Sequence, residues 1–250
     1  MSQIDSTATV ATAPIAVAST GSISANNDAP IPQQDLEQQS NSLDDLRWKD
    51  PPPVSAGTYA SLAKARLAAL VVLTTMAGYA VAPMATTLPT LLATTAGTAL
   101  CVASANSLNQ WVEAPYDAQM KRTRTRVLVT HSVSGFHAFS FGVASGVAGF
   151  ATLYGFVNPI TAVLGLANIV LYAGVYTPLK RFSIYNTWIG ALVGAIPPIM
   201  GWTACTGTLD AGALFMGAIL FAWQFPHFNA LSWNLRPDYS KAGYHMMIQH

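Results

Sequence analysis

Six apolar stretches, at 67–84, 88–108, 132–154, 157–177, 187–206 and 211–231, follow one another along the chain, and none contains Asp, Glu, Lys or Arg. Each has roughly the 17 to 25 residues that a membrane-spanning helix needs. They are apolar throughout, whereas the strands of a transmembrane barrel alternate apolar and polar residues over about ten positions. The pattern therefore predicts an all-α, multi-pass membrane protein with six spans. Small residues recur inside the stretches, as at Gly142, Gly146, Gly149, Gly190 and Gly194. At helical spacing they let two backbones approach closely, so they predict packing seams.

Residues 1–53 follow a different pattern. Ser, Thr, Ala, Gln and Asp dominate, no basic residue precedes Arg47, and Pro51 to Pro53 close the segment. The expectation is a disordered tail over 1–53 and a helical domain over 54–250. Acids such as Asp5, Asp28, Glu37 and Asp44 set the tail apart from an Arg-rich presequence, so no import signal is legible in it.

Composition supports the membrane reading: 52% of residues are hydrophobic and 9% charged, against about 25% charged in soluble domains. The 12 Lys and Arg residues lie before the first stretch and after the second, fourth and sixth. Basic loops stay on the cytoplasmic or matrix side, which places both termini and the Glu113 to Arg126 loop there. Cys101 and Cys205 fall in apolar surroundings without a ligand or disulfide spacing, and carry no chemistry.

Three clusters share that basic side. The first is Asn109, Glu113 and Asp117, followed by Arg122 and Arg126. A carboxylate at a helix centre in a membrane costs about 2.5 to 3.5 kcal/mol on insertion scales, so such groups usually persist where a site uses them. The i, i+4, i+8 spacing puts three oxygen-bearing side chains on one helix face, a seat for Mg²⁺. Pro115 is expected to kink or end that helix. Arg122 and Arg126, one turn apart, suit phosphate oxygens, although a topological anchor is the plainer role for arginines here. Tyr176, Lys180 and Arg181 form the second cluster and read either as an interfacial belt or as further phosphate clamps. The third contains Gln224 and His227, which share a helix face, followed by Asp238. His131, His137, His245 and His250 have no comparable company and read as structural.

Metal-binding oxygens, phosphate-binding cations and apolar walls rich in aromatic residues suit ionisation of an allylic diphosphate. Mg²⁺ and the cations would stabilise the departing diphosphate while Tyr176 or Trp111 sheltered the carbocation in a dry cavity.

At these residues the sequence resembles the UbiA-type intramembrane prenyltransferases, and within them the protoheme IX farnesyltransferases or heme O synthases. Asn109-x3-Glu113-x3-Asp117 resembles the first acidic motif, with Glu113 in place of the commoner Asp, and Met120, Arg122, Thr123 and Arg126 continue it. Tyr176-x3-Lys180 and the stretch from Asn186 to Trp202 resemble the elements that follow. Trp223-Gln-Phe-Pro-His-Phe228, through Asp238-Tyr239 to Ala242-Gly243, resembles the heme-specific signature. The likeness covers about residues 60 to 247.

The resemblance implies a fold of nine spanning helices, of which six are present, so that the 54–250 domain is incomplete at its C-terminus. It implies a Mg²⁺-dependent transferase that moves the farnesyl group of farnesyl diphosphate onto a vinyl carbon of protoheme IX, water supplying a hydroxyl, to give heme O. Implied metal ligands are Asn109, Glu113 and Asp117, with Tyr176 beside the reacting carbon. Arg122, Arg126, Lys180 and Arg181 would grip the diphosphate, and Gln224, His227 and Asp238 would bind heme or a second metal. The Glu-x-Pro variant of the first motif points to the eukaryotic branch and the mitochondrial inner membrane, with the active loops and both termini on the matrix side. The partners implied are the two substrates and the bilayer, not nucleic acid; a homo-oligomer or a partner in heme A biosynthesis is left open. Competing readings are a UbiA-type enzyme with another aromatic acceptor, a non-catalytic shortened form, and a transporter. The last would favour carboxylates deep in several spans, whereas here they cluster at one end.

Overall fold

The structure is a computed structural model that describes residues 53–84 and 87–247. The tail expected over 1–53 lies outside the described residues except for Pro53.

All regular structure among the described residues is helical. Helix α1 (Ala56–Leu62) meets α2 (Ala65–Val81) at a 60° bend. Helix α3 (Leu88–Asp117) starts at Thr87, whose side chain accepts the Thr90 N–H, and α4 (Gly135–Phe156) starts at Ser134 in the same way. Helix α5 (Pro159–Ile169) widens into a π-helical turn over Val170–Tyr176 and closes as α6 (Thr177–Leu179). Pro178 has no N–H to give the Gly174 carbonyl, while the Thr177 hydroxyl and N–H both turn to the Tyr172 carbonyl. Helix α7 (Asn186–Thr206) stops at Gly207, whose φ of +74° reverses the chain. Helix α8 (Ala211–Asn234) and the short α9 (Arg236–Lys241) follow.

Five of these elements are long and apolar enough to cross a membrane, and the bent pair α1–α2 makes six if it counts as one span. The six expected stretches are thus present, with two adjustments. The first is a broken helix, and the second runs on to Asp117 because neither Leu108 nor Pro115 ends α3.

Side-chain placement follows from lipid being the solvent. Leu73, Leu92, Val147, Val163 and Phe215 face outward, while Thr75, Ser104, Asn106, Ser107 and Gln110 are buried. Backbone groups in hydrocarbon need internal partners. The bend between α1 and α2 leaves carbonyls without helical donors, and α3 supplies them. The Asn106 amide donates to the Ala63 carbonyl at 2.8 Å, and Gln110 donates to the Leu62 carbonyl at 2.8 Å and the Ser61 carbonyl at 3.1 Å.

Glycine seams bring the helices close. Along α3 and α4, Gly142 lies against Leu108, Gly146 against Ser104 and Gly149 against Cys101. Between α2 and α7 the approach is backbone to backbone: a Cβ on Gly78 would collide with the Pro198 carbonyl, and one on Gly201 with the Thr75 carbonyl. At Gly165 on α5, Leu153, Cys101 and Met200 converge from three other helices, and they belong to the main buried cluster. Gly201→Val should therefore force α2 and α7 apart. Overpacking against rigid backbone is expected to cost about 2–3 kcal/mol or more, read as a lower thermal midpoint in detergent, whereas Gly155→Ala, with open space at its Cβ, should leave the midpoint unchanged.

Candidate active site

A cavity of about 480 Å³ runs between α2, α3, the α5–α6 unit, α7 and α8. Its deeper part is lined by groups such as Leu70, Val102, Ala105, Ile169 and Met200, and its charged part by Lys64, Glu113, Asp117, Arg122, Arg126 and Lys180. Even without the buried Lys64 amine, the three cations Arg122, Arg126 and Lys180 face two carboxylates, leaving a surplus of positive charge.

Helix α3 supplies the oxygens. Because it continues through Pro115, the spacing of Asn109, Glu113 and Asp117 holds all three on the inner face, where they are 0%, 5% and 1% exposed. Every one of them touches a polar partner from another part of the chain. Lys180 donates to Glu113 Oε1 at 2.7 Å; Arg126 pairs with Asp117 Oδ2 and lies 3.7 Å from Glu113 Oε2. Lys64 donates to Asn109 Oδ1 at 2.7 Å, and the Asn109 amide donates to the Thr177 hydroxyl at 2.8 Å.

The cations are delivered by local breaks in helix. Lys64 sits in the left-handed region (φ 50°) at the bend held by Asn106 and Gln110, which turns its side chain toward α3. Arg126 comes from the 118–134 connection, which folds back as the buried Thr123 hydroxyl donates to the Asp117 carbonyl at 2.9 Å. Lys180 follows directly on α6. Burial of its ammonium works against the charge, but the Glu113 carboxylate beside it outweighs this and holds the pKa well above the ordinary lysine value. Tyr176 lies under the ammonium, 4.4 Å from ring centroid to Nζ, and stacks on Tyr172 at 5.5 Å across the π-helical turn.

The opposite wall comes from α8. Gln224 packs on Gly194, and Phe228 and Tyr176 meet over Gly190. His227 lies one residue from Phe228 and stacks on Trp223 with ring planes 20° apart. Most residues expected at the site are therefore together: Asn109, Glu113, Asp117, Arg122, Arg126, Tyr176, Lys180, Gln224 and His227 all line the cavity.

Three of the expected residues do not line this cavity. Arg181 lines a smaller hollow of about 170 Å³ that shares Glu113 with the cavity, with its guanidinium 4.3 Å from the Tyr116 ring centroid. Asp238 on α9 does not line the cavity, and its neighbour Tyr239 does. Trp111, on the outer face of α3, is 44% exposed and packs on Phe139, away from the cavity. His137 is structural as expected, hydrogen-bonded to the Tyr59 hydroxyl at 2.9 Å.

Lys64, Tyr172 and Tyr244, which the sequence reading passed over, also line the cavity. Lys64 had a weak signal, as a basic residue at the entrance of a span, but that reads equally as an anchor. Tyr172 lies four residues before Tyr176, a spacing that pointed to it. Nothing local marked Tyr244.

The oxygen set suits a hard divalent cation. Asp117 Oδ1 is buried without a hydrogen-bond partner, on the same helix face as Glu113 and Asn109. No group of three or more His, Cys, Asp or Glu among the described residues forms an all-protein cage. Two carboxylates and an amide match Mg²⁺, which shares its shell with waters and substrate phosphates.

The chain is 57% identical over 191 residues to the mitochondrial protoheme IX farnesyltransferase of Homo sapiens, covering 76% of this chain and 43% of that protein. It is 53% identical over 189 residues to the enzyme of the same name from Yarrowia lipolytica, covering 75% and 40%. The chain thus spans less than half the length of these relatives. In fold it is similar to a digeranylgeranylglyceryl phosphate synthase, with a TM-score of 0.66 at 13% identity over 78% of this chain and 68% of that one. It is also similar to a UbiA homologue from Archaeoglobus fulgidus bound to DMAPP and Mg²⁺, with a TM-score of 0.63 at 16% identity over 77% and 69%. The UbiA prenyltransferase family profile matches residues 71–249, over which the acidic face of α3, the α5–α6 lysine and the α8 wall all fall, and the chain belongs to that family.

Proposed function

We propose that the chain carries the donor site and part of the acceptor wall of a protoheme IX farnesyltransferase, which moves the farnesyl group of farnesyl diphosphate to a vinyl carbon of protoheme IX to give heme O. The observation that carries this reading is the meeting of Lys64, Arg122, Arg126 and Lys180 with Asn109, Glu113 and Asp117 on one cavity whose remaining wall is largely apolar. The names of the curated relatives it matches support the acceptor, and the Mg²⁺ and DMAPP of the archaeal homologue support the metal and the substrate class.

Asn109, Glu113 and Asp117 would hold Mg²⁺, which when bound adds positive charge beside the diphosphate as its bond to carbon breaks. Arg122, Arg126, Lys180 and Lys64 bind the diphosphate oxygens. The isoprenoid lies along Val102, Ala105 and Ile169, away from water. As the C1–O bond breaks and the electron pair leaves with the diphosphate, the Tyr176 face stabilises the allylic cation by an order of 0.5 to 2 kcal/mol. The vinyl group of protoheme, held against Gln224, His227 and Phe228, then attacks C1. A nucleophile of this kind needs proximity and no strong base. Water adds to the resulting cation and, on losing one proton to the released diphosphate or to solvent, leaves the hydroxyl.

The setting proposed is the mitochondrial inner membrane, with the charged end of the cavity on the matrix side. Membranes containing the chain, incubated with protoheme IX, farnesyl diphosphate and Mg²⁺, should yield heme O by mass spectrometry, and a quinone-ring aromatic in place of protoheme should yield no prenylated product. Glu113→Gln and Asp117→Asn are each expected to lower the yield by about 10²-fold or more; product at the parent rate from both would remove the metal assignment. Single cysteines at Lys121 and Phe182 should be labelled by a membrane-impermeant thiol reagent from the same side of sealed vesicles. Labelling from opposite sides would separate the two loops and rule out a shared site.

A further inference from the structure

Beyond α9 the chain turns at Gly243 (φ 65°) and lays Tyr244 to Met246 across the charged end of the bundle. The segment is fastened at three points. The Tyr244 N–H donates to the Tyr239 carbonyl at 3.0 Å and the His245 N–H to the Lys180 carbonyl at 2.8 Å, while the Asn186 amide donates to the His245 carbonyl at 2.7 Å. Met120, Ala242 and Met246 pack around it. The effect is to set the Tyr244 side chain in the cavity wall at 4% exposure, between Tyr116 and Tyr239, each 6.0 Å away between ring centroids. Lys180 Nζ is 5.9 Å from its ring centroid.

With the ring fixed in this way, the hydroxyl is left alone: the Tyr244 oxygen is buried and has no hydrogen-bond partner. A buried polar atom without a partner is costly, and burial of the ring alone would be served equally by phenylalanine. The partner this wall is charged to receive is an anion, because Arg122, Arg126 and Lys180 outnumber the two carboxylates. Burial also raises the Tyr244 pKa, so the phenol stays protonated and acts as a donor.

On the reading of the site given above, we propose that Tyr244 is a further catalytic residue that donates a hydrogen bond to the diphosphate as it leaves. In the step it serves, the farnesyl C1–O bond breaks heterolytically and the electron pair stays on the diphosphate oxygen. The proton remains on Tyr244, and the hydrogen bond strengthens as charge grows on its acceptor. A donor held in place before the charge develops needs no reorganisation at that moment.

The test uses the 250-residue chain in lipid nanodiscs, with protoheme IX, farnesyl diphosphate and Mg²⁺. Tyr244→Phe keeps the ring and removes only the unpartnered hydroxyl. The expected result is a fall in kcat of about 10²-fold, a KM for farnesyl diphosphate within about threefold of the parent, weaker inhibition by inorganic pyrophosphate, and a thermal midpoint equal to or above the parent's. A merely structural tyrosine would give a lower midpoint, with activity lost only in proportion to folded protein, and that outcome overturns the proposal. Parent-like kcat and pyrophosphate inhibition in Tyr244→Phe overturn it too, while leaving the farnesyltransferase reading in place. Failure of the parent chain to form any prenylated heme would overturn that reading and the role of Tyr244 with it.

Discussion

A carboxylate buried at the end of a lipid-facing bundle stays charged only while cations are held against it, and the architecture around Glu113 is arranged to hold them. Lys180 and Arg126 reach Glu113 from two different segments, and Arg126 continues to Asp117. Removing one member of such a buried set typically costs about 3–5 kcal/mol, because the remaining charge has no water to turn to. The lattice therefore ties the 118–134 connection and the end of the α5–α6 unit to α3. The charges that a diphosphate and its metal would engage are also those that fix the rim of the cavity.

Holding the lattice requires the helices to break in the right places. A straight helix through 56–81 would leave Lys64 on its surface, whereas the bend satisfied by Asn106 and Gln110 turns it to Asn109. A regular α-helix through Tyr176 would lose a bond at Pro178 with nothing in return; the π-helical turn recovers the Tyr172 carbonyl through Thr177 and stacks the two tyrosines beneath Lys180. Between these irregular points the bundle is closed by glycine seams, where α7 and α2 meet backbone to backbone. Polar groups inside and leucine and valine outside invert the arrangement of a water-soluble domain, and the invariant beneath both is that every buried backbone group keeps a partner.

Much of this was legible from residue order. Uninterrupted apolar runs gave the spans, since hydrocarbon thickness sets their length, and periodicity put Asn109, Glu113 and Asp117 on one face. Tyr176 and Lys180 were marked by their own spacing, and Gln224 and His227 by polarity within an apolar run. Pro115 misled, because at the last turn of a helix whose end is packed by other segments the loss of one hydrogen bond is too small to stop it. Arg181 lies against Tyr116, in a hollow beside Glu113, a placement that its position next to Lys180 did not announce.

Sequence by itself determined that this is a multi-spanning helical protein, with three oxygen-bearing side chains on one helix face, because span length and face periodicity are local properties of the chain in lipid. Which cations meet the acidic face was decided only in three dimensions. Lys64 precedes Asn109 by 45 positions and Lys180 follows Glu113 by 67. No local pattern encodes such meetings; they depend on where a helix bends, which seam closes and how a strap such as Tyr244–Met246 returns across the bundle. Tertiary packing set those distances, and with them the site.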